Sequence, residues 1–277
     1  MSANFSSSKI GVFVDAANMY RNGGARMRYD VLREFACRDF SEPLRLNVYV
    51  AHDAIRAQED ETYREKALGF HSALRDCGYK VIIKEVRWFK DESGNRFAKA
   101  NADLDLAVDA LSQSERLDRV LIATGDGDFV QLVRALQNKG CRVEVMGLEN
   151  VSSDLRQEAD YFISGFLIPN LIPTEGSNVE WGNIGATIRG WCYYYNHEKG
   201  IGYMRFLSEI SPGLWLTDSR KSYDSPYHTA FFHVSQMRDS GVTHYLPNRE
   251  MIFEFTLVEP DRNDQMKAEN IRLVCRL

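Results

Sequence analysis

The chain has 277 residues, 44% hydrophobic and 26% charged, which excludes a disordered polymer and points to one large or two ordinary globular domains. No apolar run approaches the ~20 residues of a bilayer crossing, and the polar opening MSANFSSSK lacks the apolar core of a secretion signal. A cytoplasmic location with no membrane partner is therefore expected. The net charge of -5 excludes a generally basic nucleic-acid binder, so any hold on phosphate must come from local basic clusters, stacked rings and bound cations.

From residue 9 the pattern alternates between strand and helix. KIGVFVD (9–15) reads as a strand, 29–40 as a helix, LRLNVYVAH (44–52) as a strand and 58–77 as a charged helix. YKVIIKEVR (79–87), DRVLIAT (118–124) and CRVEVMGL (141–148) are further strands, separated by helices over 101–114 and 127–138. A last helix follows VSSD, with Ser152 or Ser153 as its cap. Strands this apolar between helices predict an α/β domain over 1–165, its parallel sheet covered on both faces. Ligands of such sheets lie beyond the carboxyl ends of the strands, where strand order reverses. Residues 166–185, with Pro and Gly but no Lys or Arg, read as a linker. Beyond it the helical period disappears. Aromatic runs such as TIRGWCYYYN, IGYMRF, GLWLTD, TAFFHVS and MIFEFTLVE predict an all-β barrel of about five strands over 186–277. The five cysteines are scattered and form no C-x-x-C pair, which argues against a disulfide framework and a zinc site.

Carboxylates gather at three places. Asp15 ends the first strand with Asn18 three residues on, Asp103, Asp105 and Asp109 lie in KANADLDLAVDAL, and Asp126 and Asp128 follow a buried strand in IATGDGDF. The 101–114 helix is expected to bury Leu104, Ala107, Val108 and Leu111 on one face, with Asp103 in its first turn beside the carboxyl edge of the sheet. If the first and fourth strands are neighbours, Asp15, Asp103 and Asp126 converge. Crowded carboxylates repel and call for a divalent cation, and an all-oxygen donor set suits Mg²⁺ or Mn²⁺. Taken singly, Asp103 fits a helix N-terminus, Asp105 a solvated charge, Asp109 a structural role and GDGD a simple turn.

Basic side chains flank these positions. YRNGGARMRYD carries Arg21, Arg26 and Arg28, and VRWFKDESGNRFAK carries Arg87, Lys90, Arg96 and Lys99 with Trp88 and Phe89. Cations interleaved with rings suit a single strand, the cations holding phosphate while the rings take bases. In the C-terminal part, strand alternation sets Ile201 and Tyr203 on one face with Tyr194 across the turn, and Phe231 with His233; Tyr195 and Phe232 are expected in the core.

FVDAANMY, ADLDLAVDAL and TGDGDF, in this order over about 9–165, resemble the NYN domain of the LabA type, within the PIN-like nuclease superfamily. The resemblance implies a PIN-like parallel sheet, an Mg²⁺ or Mn²⁺ site and RNA cleavage. Asp15, Asp103 and Asp126 would be metal ligands, Asp128 a ligand or water-positioning group, and Asn18 a contact to substrate or metal-bound water. Asn101-Ala102-Asp103 stands where the family pattern reads closer to Gly-Val-Asp, and the carboxylate is kept. A haloacid-dehalogenase arrangement needs a second Asp two residues after Asp15, where this chain has Ala17. YYN, KGIGYM, FFHVS, MIFEF and AENIRL resemble a cold-shock domain, an OB-fold barrel. That resemblance implies binding of single-stranded RNA or DNA through Tyr194, Tyr203, Phe231 and His233, with Lys199 on phosphate. Ile201 replaces an expected aromatic, and the stretch 207–228 between the two motifs is long. The combined expectation is a metal-dependent endoribonuclease whose barrel captures single-stranded RNA. The alternatives are a non-catalytic RNA-binding regulator and a structure-selective DNA nuclease; oligomeric state is left open.

Overall fold

The computed structural model describes residues 7–90, 96–176, 179–212, 225–260 and 265–277. It divides into two compact units, Met1–Ala25 with Leu32–Gly147 and Val151–Phe162, and Arg26–Val31 with Leu148–Asn150 and Ile163–Leu277.

The first unit is built on a six-stranded sheet. β1 (Lys9–Asp15) leads into α1 (Ala16–Met19), a π-turn (Tyr20–Gly24) and α2 (Tyr29–Ala36). β2 (Glu42–His52) precedes α3 (Ala54–Glu59), α4 (Glu61–Asp76) and β3 (Lys80–Glu85). β4 (Arg87–Lys90) and β5 (Arg96–Lys99) pair antiparallel before α5 (Ala102–Gln113) and β6 (Arg119–Ala123). α6 (Val130–Asn138), β7 (Arg142–Gly147), α7 (Ser153–Glu158) and β8 (Tyr161–Ser164) complete the series. The sheet order is β3-β2-β1-β6-β7-β8, and the pairs from β3 to β7 are parallel. The chain builds outward from β1 to β3, then returns to the other side of β1, so strand order reverses between β1 and β6. The register sets Val14 beside Ala123, which brings the ends of both strands to the same edge.

Several local expectations change. The helix expected over 58–77 is two helices, because Asp60 caps α4 by accepting the Tyr63 N–H at 2.9 Å. The basic segment 86–99 contains the β4–β5 pair, and β8 adds an edge strand. α5 presents a different face from the one expected. Ala102, Leu106 and Ala110 are buried, while Leu104 and Val108 are exposed and Ala107 and Leu111 are half-buried. Ala102 and Ala110 leave room for the helix backbone to approach the sheet on either side of the fully buried Leu106, so this i, i+4, i+8 face forms the contact while Leu104 and Val108 turn outward.

At the amino ends of the strands lies a buried ionic network. Glu144 on β7 accepts from Arg38 Nη2 at 3.0 Å, Arg119 Nη1 at 3.1 Å and Arg142 Nε at 3.2 Å. Arg119 also donates to Asp39, Ser41 and the Ala36 carbonyl.

The second unit holds a closed barrel. Its strands are β9 (Thr187–Asn196), β10 (Ile201–Leu207), β11 (Tyr227–His233), β12 (Asn248–Val258) and β13 (Lys267–Arg276), in the order β10-β11-β13-β12-β9. β10 closes on β9, and β11 meets β13 in parallel while the other pairs are antiparallel. Inward positions Ile188, Cys192, Met204, Phe206, Phe232, Phe253 and Phe255 form its core. Residues 166–185, expected as a linker, carry the buried side chains Phe166, Ile168, Leu171, Ile172 and Trp181. Trp181 Nε1 donates to the Leu207 carbonyl at 2.8 Å, and buried Arg189 donates to the Ile172 carbonyl at 2.8 Å and to Glu254. This segment is packed against the barrel. The expected strand GLWLTD lies outside the described residues.

Candidate functional site

The switch point between β1 and β6 carries the acidic motifs. Asp15, the last residue of β1, is buried and caps α1, its Oδ1 accepting the Asn18 N–H at 2.9 Å. Asn18 is buried too, and its Oδ1 accepts the Gly125 N–H at 2.9 Å. Asn18, expected from the sequence to face substrate or metal-bound water, thus ties the first motif to the loop after β6. In that loop Asp126 N donates to Thr124 Oγ1 at 3.2 Å, and Asp126 Oδ1 accepts the Asp128 N–H at 3.0 Å. Gly127 has no side chain for a close-approach reason: a Cβ there would stand 2.8 Å from Ser152 Oγ, and Ser152 is the residue that caps α7.

Charge couples these groups. Burial raises the Asp15 carboxyl above the ordinary carboxylate range; the Asn18 N–H opposes this, and the charges of Asp103 and Asp126 add to the rise. Asp103, exposed in the first turn of α5, is also raised, by partial desolvation and then by Asp126 and Asp128. Arg21 lowers both, and its own Nε donates to the Ala17 carbonyl at 3.2 Å. Asp15, Asp103, Asp126, Asp128 and Arg21 therefore share one electrostatic field. Among the described residues, no three His, Cys, Asp or Glu side chains stand close enough to hold one metal ion as placed. Asp15, Asp103, Asp126 and Asp128 are all carboxylates, whose oxygens are the donors that hard divalent cations prefer.

The neighbouring acids do other work. Asp105 pairs with Lys84 at 2.7 Å, and Asp109 accepts from the buried Tyr49 hydroxyl at 2.9 Å. Among the basic candidates, Arg26 and Arg28 are exposed and belong to the second unit, where Arg28 pairs with Asp30 at 2.7 Å. Arg87 and Lys99 are directly opposed on β4 and β5; their side chains, and those of Phe89, Lys90 and Arg96, lie outside the described residues. Trp88 is half exposed, and its Nε1 donates to Asp53 at 3.2 Å.

On the barrel, Tyr203 is register partner to Phe231 on β11 and to Tyr194 on β9. The ring centroids are 5.7 and 5.9 Å from that of Tyr203. Tyr194 is 46% exposed, whereas Phe232 is 1% exposed and stacks against Tyr195 at 5.9 Å inside. His233 is exposed, with Nδ1 held 2.9 Å from Ser235 Oγ. Lys199 is exposed in a turn whose backbone N–H donates to Asn196 Oδ1 at 2.9 Å. The sequence reading missed Tyr193, whose ring lies 6.1 Å from Tyr203, and Arg205, whose guanidinium lies 4.3 Å from the Tyr193 centroid. Strict alternation hides Tyr193. Three consecutive tyrosines before a turn were the available hint that the strand slips there.

The first unit is an α/β domain whose parallel sheet carries carboxylates on both sides of its switch point. The NYN domain model matches residues 9–171, and the chain belongs to the NYN domain family. It is 30% identical over 166 residues to the low amplitude and bright protein LabA of Synechococcus elongatus, across 57% of this chain and 84% of that protein. A crystal structure of a protein of unknown function from Vibrio parahaemolyticus is similar at 26% identity and TM-score 0.47, covering 59% of this chain and 96% of that one. The family match ends before the barrel begins. Among the described residues, no helix is long and apolar enough to cross a membrane.

Proposed function

We propose that the protein is a Mg²⁺- or Mn²⁺-dependent endoribonuclease acting on single-stranded RNA. The observation that carries this reading is the shared field of Asp15, Asp103, Asp126 and Asp128 at the reversal of strand order. Asp15, Asp103 and Asp126 would hold the cation, with Asp128 as a further ligand or as the group that positions the attacking water. When bound, such an ion lowers the pKa of water and offsets charge on the scissile phosphate. Asn18 keeps the two strand-end loops in register, and Arg21 offers a cation to phosphate beside the acids. The barrel's strand order, 1-2-3-5-4-1 in its own numbering, supports an OB-fold of the cold-shock kind. Its Tyr194, Tyr203, Phe231 and His233 would stack bases, and Lys199 would meet phosphate. Capture there raises the local concentration of RNA at the acidic site, as tethered modules do.

The second reading is a non-catalytic RNA-binding regulator, favoured by the spacing of the donors as they stand. Cleavage of labelled single-stranded RNA and DNA with Mg²⁺, Mn²⁺ or EDTA separates the two. Asp126→Asn should abolish metal-dependent cutting and leave RNA binding largely intact, because one strand-end carboxylate is lost and the barrel is untouched. RNA binding without cutting above that variant would establish the regulator.

A further inference from the structure

The outer face of the barrel carries one ring more than alternation assigns. β9 and β10 pair Tyr203 with Tyr194 but Met204 with Cys192, so Tyr193 is the extra residue of a β-bulge. Without the slip, Tyr193 and Tyr194 would point to opposite faces. With it, both rings flank Tyr203, at 6.1 and 5.9 Å, and Phe231 meets Tyr203 from the other strand at 5.7 Å. Arg205, two residues beyond Tyr203, lays its guanidinium 4.3 Å from the Tyr193 centroid. Ile201, two residues before Tyr203, offers no ring. The planar surface is therefore displaced along the barrel, away from Ile201 and toward the bulge. Gly202 shows how tightly the opposite face is filled: a Cβ there would come within 2.6 Å of the Phe232 ring. The lost ring is thus not recovered from the inside.

We propose that Tyr193, together with Arg205, forms a base-stacking position for single-stranded nucleic acid, and that the bound strand runs over the bulge instead of over Ile201. This rests on the single-strand-binding reading above. A tyrosine ring and a guanidinium plane both stack on bases, and the arginine adds positive charge to a region whose net charge is zero. Nothing in this contact reads base identity, so the gain in affinity is tolerant of sequence.

The test uses the full chain in EDTA, so that no strand is cut, and measures binding of a fluorescein-labelled single-stranded RNA by anisotropy. Tyr193→Ala should weaken binding by about 5- to 150-fold, Tyr193→Phe should bind like wild type, and Tyr193→Leu should match the alanine variant while keeping apolar bulk. Thermal melts confirm that each variant folds, and the leucine variant serves if alanine destabilises the bulge. Wild-type affinity for both Tyr193→Ala and Tyr193→Leu, alongside weakening by Tyr194→Ala, overturns this inference and leaves the single-strand reading standing. No binding by the wild type overturns both.

Discussion

Removal of the single anion at Glu144 should cost more stability than almost any other polar substitution in the first unit. Glu144 has 0% exposure and accepts from three arginines, of which Arg119 is itself 1% exposed. Burial pushes the Arg119 guanidinium pKa down and Glu144 holds it up. Glu144→Gln keeps the volume and removes the charge, leaving Arg38, Arg119 and Arg142 around a dry site with Asp39 as the remaining acid. Loss of one partner from a buried pair costs about 3–5 kcal/mol. For a unit of this size each kcal/mol moves the midpoint by roughly 2–4 °C, so Tm should fall by about 6–20 °C. Thermal and urea unfolding followed by far-ultraviolet circular dichroism measure this, and the urea midpoint should fall without a change of slope. The apolar pair Glu144→Met with Arg119→Met should be more stable than Glu144→Gln alone, since desolvation of the strongest partner is then relieved. A Glu144→Gln midpoint within ~2 °C of wild type would refute the reasoning.

Three further outcomes follow from the packing. Asn18→Ala leaves the Gly125 N–H without its acceptor and should destabilise the first unit by about 1–3 kcal/mol in urea unfolding, with a parallel loss of cleavage. Phe232→Ala empties a filled barrel position and should cost about 3–5 kcal/mol, read in near-ultraviolet circular dichroism melts. His71 is buried, and burial, then His52 and Arg75, hold its pKa below the usual 6.5. The folded state therefore binds this proton less readily than the unfolded chain, so the neutral ring's contribution is complete above pH 6.5 and is lost as pH falls through 6.5 toward the lower folded value. His71→Leu should flatten the dependence of the urea midpoint between about pH 7 and 5, and an unchanged slope would count against His71 as its source.

The parallel sheet was readable because β1, β2, β6 and β7 are nearly continuous apolar runs, and the adjacency of β1 and β6 follows from the reversal of strand order. What escaped were features that depend on long-range packing. α5 has Leu104 and Val108 on one side and Ala102, Leu106 and Ala110 on another, and composition favours the first; only the closeness of the sheet makes the second the contact. Arg119 and Glu144 sit in strands that read as apolar, and their mutual neutralisation becomes visible once β6 and β7 are neighbours. At the site, Asp15 and Asp126 were legible as strand-end acids, but the turning of Asn18 toward Gly125 was not, since nothing local distinguishes a buried amide from a substrate contact. Tyr193 was hidden for the simplest reason, a one-residue slip that alternation cannot anticipate.

The Asn18–Gly125 bond joins positions 107 residues apart in the chain. During synthesis at about 5–20 residues per second, Asp15 waits roughly 5–20 s before its partner loop has been made. A chain interrupted before β6 carries Asp15 and lacks Asp126 and Asp128, so it cannot bring the first and last acidic motifs to one edge of the sheet. Any property that needs these carboxylates together is withheld until the chain is long enough to lay β6 against β1.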